Sequence, residues 1–147
     1  MAYYYLVSQL PNISSSESKS ALPLNGEQFR ELAARFISEE EKEAIIETEL
    51  LNRSNPVYAT AGGNNTKDRI FLLSLDEVKL YLEGFMCILS ACDAEGKKTW
   101  WFLRSPGEAE NVAASVDANG MIDYHGVSDS FETIIGGVRP AMWVRFK

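Results

Sequence analysis

The Asn119-Gly120 step lies between two strand-length apolar runs, Val112-Ala-Ala-Ser-Val116 and Met121-Ile-Asp-Tyr124. An Asn-Gly pair supplies the positive φ angles that a tight hairpin loop demands, so the chain turns back on itself over Asp117 to Gly120 and pairs the two runs antiparallel. A second strand signal closes the chain. From Gly137 to Lys147, Val138, Met142, Val144 and Phe146 fall on one face, with Trp143 and Arg145 on the other. Tyr3 to Leu10 is aromatic and β-branched enough to predict a further strand, which Pro11 stops.

Helical signals interrupt these strands. Phe29, Leu32, Ala33, Phe36 and Ile37 recur at the spacing of one helix face. Ser38 followed by Glu41 makes a capping box. It predicts a second helix that carries Glu39, Glu40 and Glu41 in its first turn and buries Ile45 and Ile46. Asn52 to Asp68, with Pro56, Gly62, Gly63, Asn64 and Asn65, reads as a long connector. Arg69 to Leu73 then reads as a short buried strand. Ser74 with Glu77 opens a helix that carries Leu75, Val78, Tyr81 and Leu82. The polar turn Asp93 to Lys98 between Met86–Ala91 and Thr99–Arg104 predicts a hairpin. The serine-rich stretch 12–20 reads as an exposed loop.

Composition bounds the function. A chain of 147 residues, 46% apolar and 24% charged, can bury a core as one domain. A net charge of -7 with no extended basic run argues against nucleic acid and anionic membranes as partners. No apolar stretch approaches the roughly 18 residues a membrane span needs. The start lacks the pattern of a signal peptide, so as written the chain is expected in the cytoplasm, unless it is one domain of a longer surface protein. Cys87 and Cys92 are too few for a disulfide framework or a four-ligand metal site; they read as free thiols or as a local disulfide across a turn. Asn64, Asn65, Asp68, Asp117, Asn119 and Asp123 offer oxygen ligands at no calcium-loop spacing, and Gly62-Gly63 is too short for a phosphate loop. Neither metal nor cofactor is expected.

Three motifs carry a resemblance. Gly62-Gly-Asn-Asn-Thr-Lys-Asp-Arg-Ile-Phe-Leu-Leu-Ser-Leu-Asp-Glu-Val78, Trp100-Trp-Phe-Leu-Arg-Ser-Pro-Gly107 and Gly137-Val-Arg-Pro-Ala-Met-Trp143 resemble, in that order, a bacterial family of unknown function. The resemblance covers about residues 38–147 and implies a C-type-lectin-like fold, as in bacterial surface and phage-type variable proteins. Between Tyr81 and Trp100 the chain departs from the family pattern, which puts any ligand contact of that loop in doubt. The first part, with Tyr3-Tyr-Tyr-Leu-Val-Ser-Gln-Leu-Pro11, Leu24, Phe29-Arg-Glu-Leu32 and Ser38-Glu-Glu40, resembles instead an uncharacterised family associated with V-type ATPases. The expected domain is therefore 1–147, with 1–37 as a divergent segment. The expected fold class is α+β, two or three helices packed on a twisted, mainly antiparallel sheet in which the tryptophan-rich stretch lies beside the C-terminal strand.

Candidate site residues follow from chemistry weighed against packing. Trp100, Trp101 and Trp143 invite sugar stacking, but adjacent residues of a strand point to opposite faces, so at most one of Trp100 and Trp101 is exposed. Arg104 and Arg139 sit beside a turn or proline, where a guanidinium either clamps structure or grips an anion. Tyr124 and His125 lie at the end of the Asn-Gly hairpin. His125 has no recognisable nucleophile partner, and no serine lies in a G-x-S-x-G motif. The expected function is a non-enzymatic recognition module that meets a protein or carbohydrate ligand through Trp101, Arg104, Tyr124, His125 and Arg139. The alternatives are an assembly protein making subunit contacts through its N-terminal third, and an enzyme of the formylglycine-generating type, whose motifs are absent.

Overall fold

A computed structural model describes residues 2–6, 38–82, 89–93, 95–128 and 137–145. In chain order these form β1 (Ala2–Leu6), α1 (Glu39–Ala44), β2 (Ile45–Ile46), β3 (Thr48–Leu50), β4 (Thr66–Asp68), β5 (Phe71–Leu72), α2 (Leu75–Leu82), β6 (Ala91–Cys92), β7 (Lys98–Thr99), β8 (Trp101–Pro106), β9 (Val112–Val116), β10 (Ile122–Ser128) and β11 (Pro140–Arg145). The predicted helix over 27–37 lies outside the described residues, as does Cys87. Cys92 is an exposed free thiol.

Strand dominates, and the strands divide into four antiparallel groups rather than one sheet. β11 is the centre of the first, with β1 on one side and both β2 and β5 on the other. β8, β9 and β10 form the second in the order β10-β9-β8, while β3 pairs β4 and β6 pairs β7. This corrects the α+β, C-type-lectin-like expectation of two or three helices on a single twisted sheet. Part of the reason lies at Ile45 and Ile46. Read as the buried side of a helix, they leave the helix after Ala44 and pair with Val144 and Trp143 of β11. β-branched side chains suit that pleated, half-buried place, and tertiary pairing overrides the local helical signal.

The tryptophan-rich stretch and the C-terminal strand also lie in different sheets, not side by side. They meet at a joint before β11 begins, where Phe102 N donates to Gly137 O at 3.1 Å and Gly137 N donates to Trp100 O at 2.7 Å. A second joint runs through β5. Leu72 pairs with Pro140 of β11, and the next carbonyl, Leu73, accepts from Arg104 N of β8 at 2.9 Å. The core forms between these joints, with Leu73, Leu75, Val78, Trp101, Leu103 and Val116 all buried. β8 is covered on both faces, which accounts for its near-continuous apolar run.

Local chemistry is realised where it is strongest. Ser74 Oγ accepts from Glu77 N at 3.2 Å and Glu77 Oε2 accepts from Ser74 N at 2.9 Å, a complete capping box at the start of α2. Leu75, Val78 and Leu82 face the core; Tyr81 stays exposed and sets its edge on Trp143. The Asp93–Lys98 turn joins β6 to β7, and the Asp117–Gly120 turn joins β9 to β10 with Gly120 at φ 84°. No helix among the described residues is long and apolar enough to cross a membrane.

Both outer strands of the second sheet bulge at the same level. In β8, Leu103, Arg104 and Ser105 stand opposite Ala114 alone, between the pairs Phe102–Ser115 and Pro106–Ala113. In β10, Tyr124, His125 and Gly126 stand opposite the same residue, between Asp123–Ser115 and Val127–Ala113. Extra residues in a strand loosen the ladder and re-aim side chains and backbone groups. Gly126 permits the second bulge, because its φ is +82° and a Cβ there would overlap the Ala113 carbonyl. Gly126→Ala is expected to cost about 1–3 kcal/mol from forced backbone strain, read as a lower thermal midpoint. An unchanged midpoint would show that this bulge is not held.

Candidate functional site

The two bulges present two different surroundings. The β8 bulge points inward and makes a structural hub. The guanidinium of Arg104 donates from Nε to Asn52 Oδ1 at 3.0 Å, from Nη1 to Leu72 O at 2.9 Å, and from Nη2 to Leu51 O at 3.3 Å. Its Nη1 and Nη2 also grip the two carboxylate oxygens of Glu77, the latter at 3.1 Å to Oε1. All five N–H donors are thereby used. Ser105 of the same bulge accepts from Leu75 N at 3.0 Å, so the first turn of α2 is fastened twice to β8.

The β10 bulge points outward and makes the candidate face. Its backbone is held by carbonyl acceptance: Glu108 N donates to His125 O at 2.9 Å, and Asn55 Nδ2 donates to Tyr124 O at 2.8 Å. His125 N donates to Asp123 Oδ1 at 3.0 Å, closing a small turn within the bulge. The imidazole then projects into solvent, with Nε2 at 3.0 Å from Glu108 Oε2 and Nδ1 at 3.3 Å from Gly126 O. Tyr58, 43% exposed on the loop after Asn55, stands edge-on to the His125 ring with centroids 6.2 Å apart. Val57 beside it is 61% exposed. Lys79 of α2 caps the Tyr124 ring, its Nζ 5.1 Å from the centroid. The face thus combines an aromatic edge, a histidine–carboxylate contact and an aliphatic side chain on backbone that is fixed from below.

Of the residues singled out in the sequence, His125 lies on this face, whereas the half-buried Tyr124 ring packs against the core and contributes its backbone carbonyl. Trp101 does not lie on it: it is 0% exposed, donates from Nε1 to Leu89 O at 2.8 Å, and carries the buried Arg139 guanidinium over its ring at 5.1 Å. Arg104 lines an open cleft of about 510 Å³ between the β3–β4 ribbon and β8, together with Leu50, Asp68, Phe102 and Val127. Its donors are nevertheless all spent within the protein. Trp100 and Trp143 are half-buried, set edge-on against Phe102 and Tyr81 respectively. Among the described residues no three His, Cys, Asp or Glu side chains converge as metal ligands.

Sequence reading missed Asn55 and Tyr58, in a segment taken as a connector, and Glu108, in a stretch it did not assign. Asn55-Pro56 is a turn-initiating pair, a signal that could have marked the first of them. Glu77 was assigned only its cap, whereas its carboxylate also neutralises Arg104.

The chain belongs to the family described as a domain of unknown function, DUF6273, whose model matches residues 17–146. That match crosses position 37, where the sequence resemblance changed. No curated protein and no solved structure matches the chain.

Replacing Glu77 by Gln keeps an acceptor for the Ser74 amide but strips the charge partner from Arg104. Because a largely buried cation left unpaired is costly, Glu77→Gln is expected to lower the stability by about 3 kcal/mol in urea titration. A change under about 0.5 kcal/mol, the scale of exposed ion pairs, would show that Arg104 is not a hub.

Proposed function

We propose that this DUF6273 chain is a non-enzymatic recognition module whose contact face is the outward bulge of β10, with Tyr58, His125 and Glu108 as its contact residues. The observation that carries this reading is the paired bulge opposite Ala114: one side is spent on fastening the scaffold, the other displays side chains. Bulges recur where a strand must re-aim groups toward a partner. Loop-borne contact groups on a rigid sheet are the common form of a binding face. Aromatic residues with a charge at the rim suit protein surfaces and carbohydrates alike, because a ring supplies apolar area at low entropic cost.

The chemistry at His125 supports binding over catalysis. Its two ring nitrogens face a carboxylate and a backbone carbonyl. A nucleophilic mechanism would need a hydroxyl or thiol within reach of that ring, and among the described residues neither nitrogen faces one. Glu108 orients the imidazole and leaves its ring edge and face at the surface.

The labelled chain and its Y58A/H125A variant, incubated on glycan and protein arrays, test this. A set of features bound by the wild type and weakened at least about tenfold in the variant is expected, as for loss of central contact residues. Equal signals from both proteins, or none from either, would contradict the reading.

A further inference from the structure

We propose that Asn55 is the positioning residue of the β10 face: its single buried amide sets Tyr58 against His125. The inference rests on the recognition reading for its functional meaning, but its geometry stands by itself.

Asn55 is 1% exposed, although it lies in a loop of exposed neighbours. Its side chain works in two directions. Oδ1 accepts from Val57 N at 2.8 Å and Tyr58 N at 3.2 Å. Nδ2 donates to Pro106 O at 2.9 Å, Tyr124 O at 2.8 Å and, more weakly, Gly107 O at 3.3 Å. The orientation of the amide is forced, since a flip would set its oxygen against three carbonyls and its NH₂ against two N–H groups. The loop also closes on itself, with Asn55 N donating to Thr60 O and Ala59 N to Asn55 O, both at 2.9 Å. Residues 55–60 therefore form a preformed unit. Among the described residues, the hydrogen bonds that tie this unit to β8 and β10 all come from Nδ2.

The partners of Nδ2 are the backbone groups that carry the face. Tyr124 O belongs to the bulge that presents His125, and Gly107 immediately precedes Glu108, the carboxylate that orients the imidazole. One amide thus fixes the Tyr58 side of the face to its His125 side across 69 residues of sequence. The residues that would touch a ligand are exposed; the residue that aligns them is not.

Asn55→Asp separates the two roles, because a carboxylate still accepts from Val57 and Tyr58 but cannot donate to Tyr124, Pro106 or Gly107. The expected result is a folded chain in which the nuclear Overhauser cross-peaks between the Tyr58 and His125 rings are lost, and array signals fall at least about tenfold. A folded Asn55→Asp chain with a lower melting temperature but intact cross-peaks would overturn the proposal, since Asn55 would then serve stability alone. If this variant fails to fold, hydrogen exchange on the wild type decides. Matching exchange rates for the Val57, Tyr58 and Glu108 amides, as for one opening event, support the proposal. Exchange of Val57 and Tyr58 at least about tenfold faster than Glu108 overturns it. The cross-peaks need no ligand, so silent arrays would sink the recognition reading while leaving the positioning role to be decided by the rings.

Discussion

The Arg104 guanidinium is the contact on which the other elements depend. It collects the carbonyls of Leu51 and Leu72, the amide oxygen of Asn52 and the carboxylate of Glu77 around one planar group. Those partners belong to the segment after β3, to β5 and to α2, none of which pairs with β8 over more than a few residues. Short strands and two-stranded ribbons are marginal by themselves. A fork with five fixed donors can hold several such pieces in one relative placement, which a flexible ammonium cannot. The ion pair itself adds little net stability over an apolar substitute, because desolvating two charges is expensive. Its contribution is directional: it specifies which pieces meet.

From that hub the arrangement of the second sheet follows. β8 bulges at Leu103–Ser105 so that Arg104 and Ser105 reach the start of α2 and the end of β5. β10 bulges opposite the same Ala114, and its freed carbonyls are taken up by Asn55 and Glu108 rather than by a fourth strand. The edge of the sheet is thereby closed at its middle by side-chain and loop contacts, one of the ways an exposed strand edge is kept from pairing with other chains. The same closure leaves Tyr58, His125 and Glu108 facing outward on a supported backbone.

What was legible in the sequence was local. The Asn119-Gly120 hairpin, the Ser74–Glu77 capping box and the Asp93–Lys98 turn depend on residues within a few positions of one another, and each is present. Ile45 and Ile46 were misread because their partners, Val144 and Trp143, lie about a hundred positions away and no local signal names them. The single-sheet expectation failed for the same reason, since the division into four groups is set by long-range pairing. The exposed place of His125 follows from a hairpin that could be seen, whereas the packing of the Tyr124 ring on the core could not. Trp101 and Arg139 form a stacked buried pair, and Arg104 is enclosed by acceptors from three segments; a single sequence shows side-chain chemistry but not what surrounds it. Asn55 was hidden for the converse reason, as a buried residue in a stretch whose composition announces only a connector.

Arg104→Lys measures most directly whether a guanidinium fork joins these pieces, because lysine keeps the charge and gives up the fork. If the fork is what holds them, the urea midpoint falls, and the Leu75 amide, bonded to Ser105, exchanges with solvent faster together with the amides around Asn52. A lysine variant with an unchanged midpoint and unchanged exchange at both places would mean that positive charge alone suffices and that Arg104 is no hub.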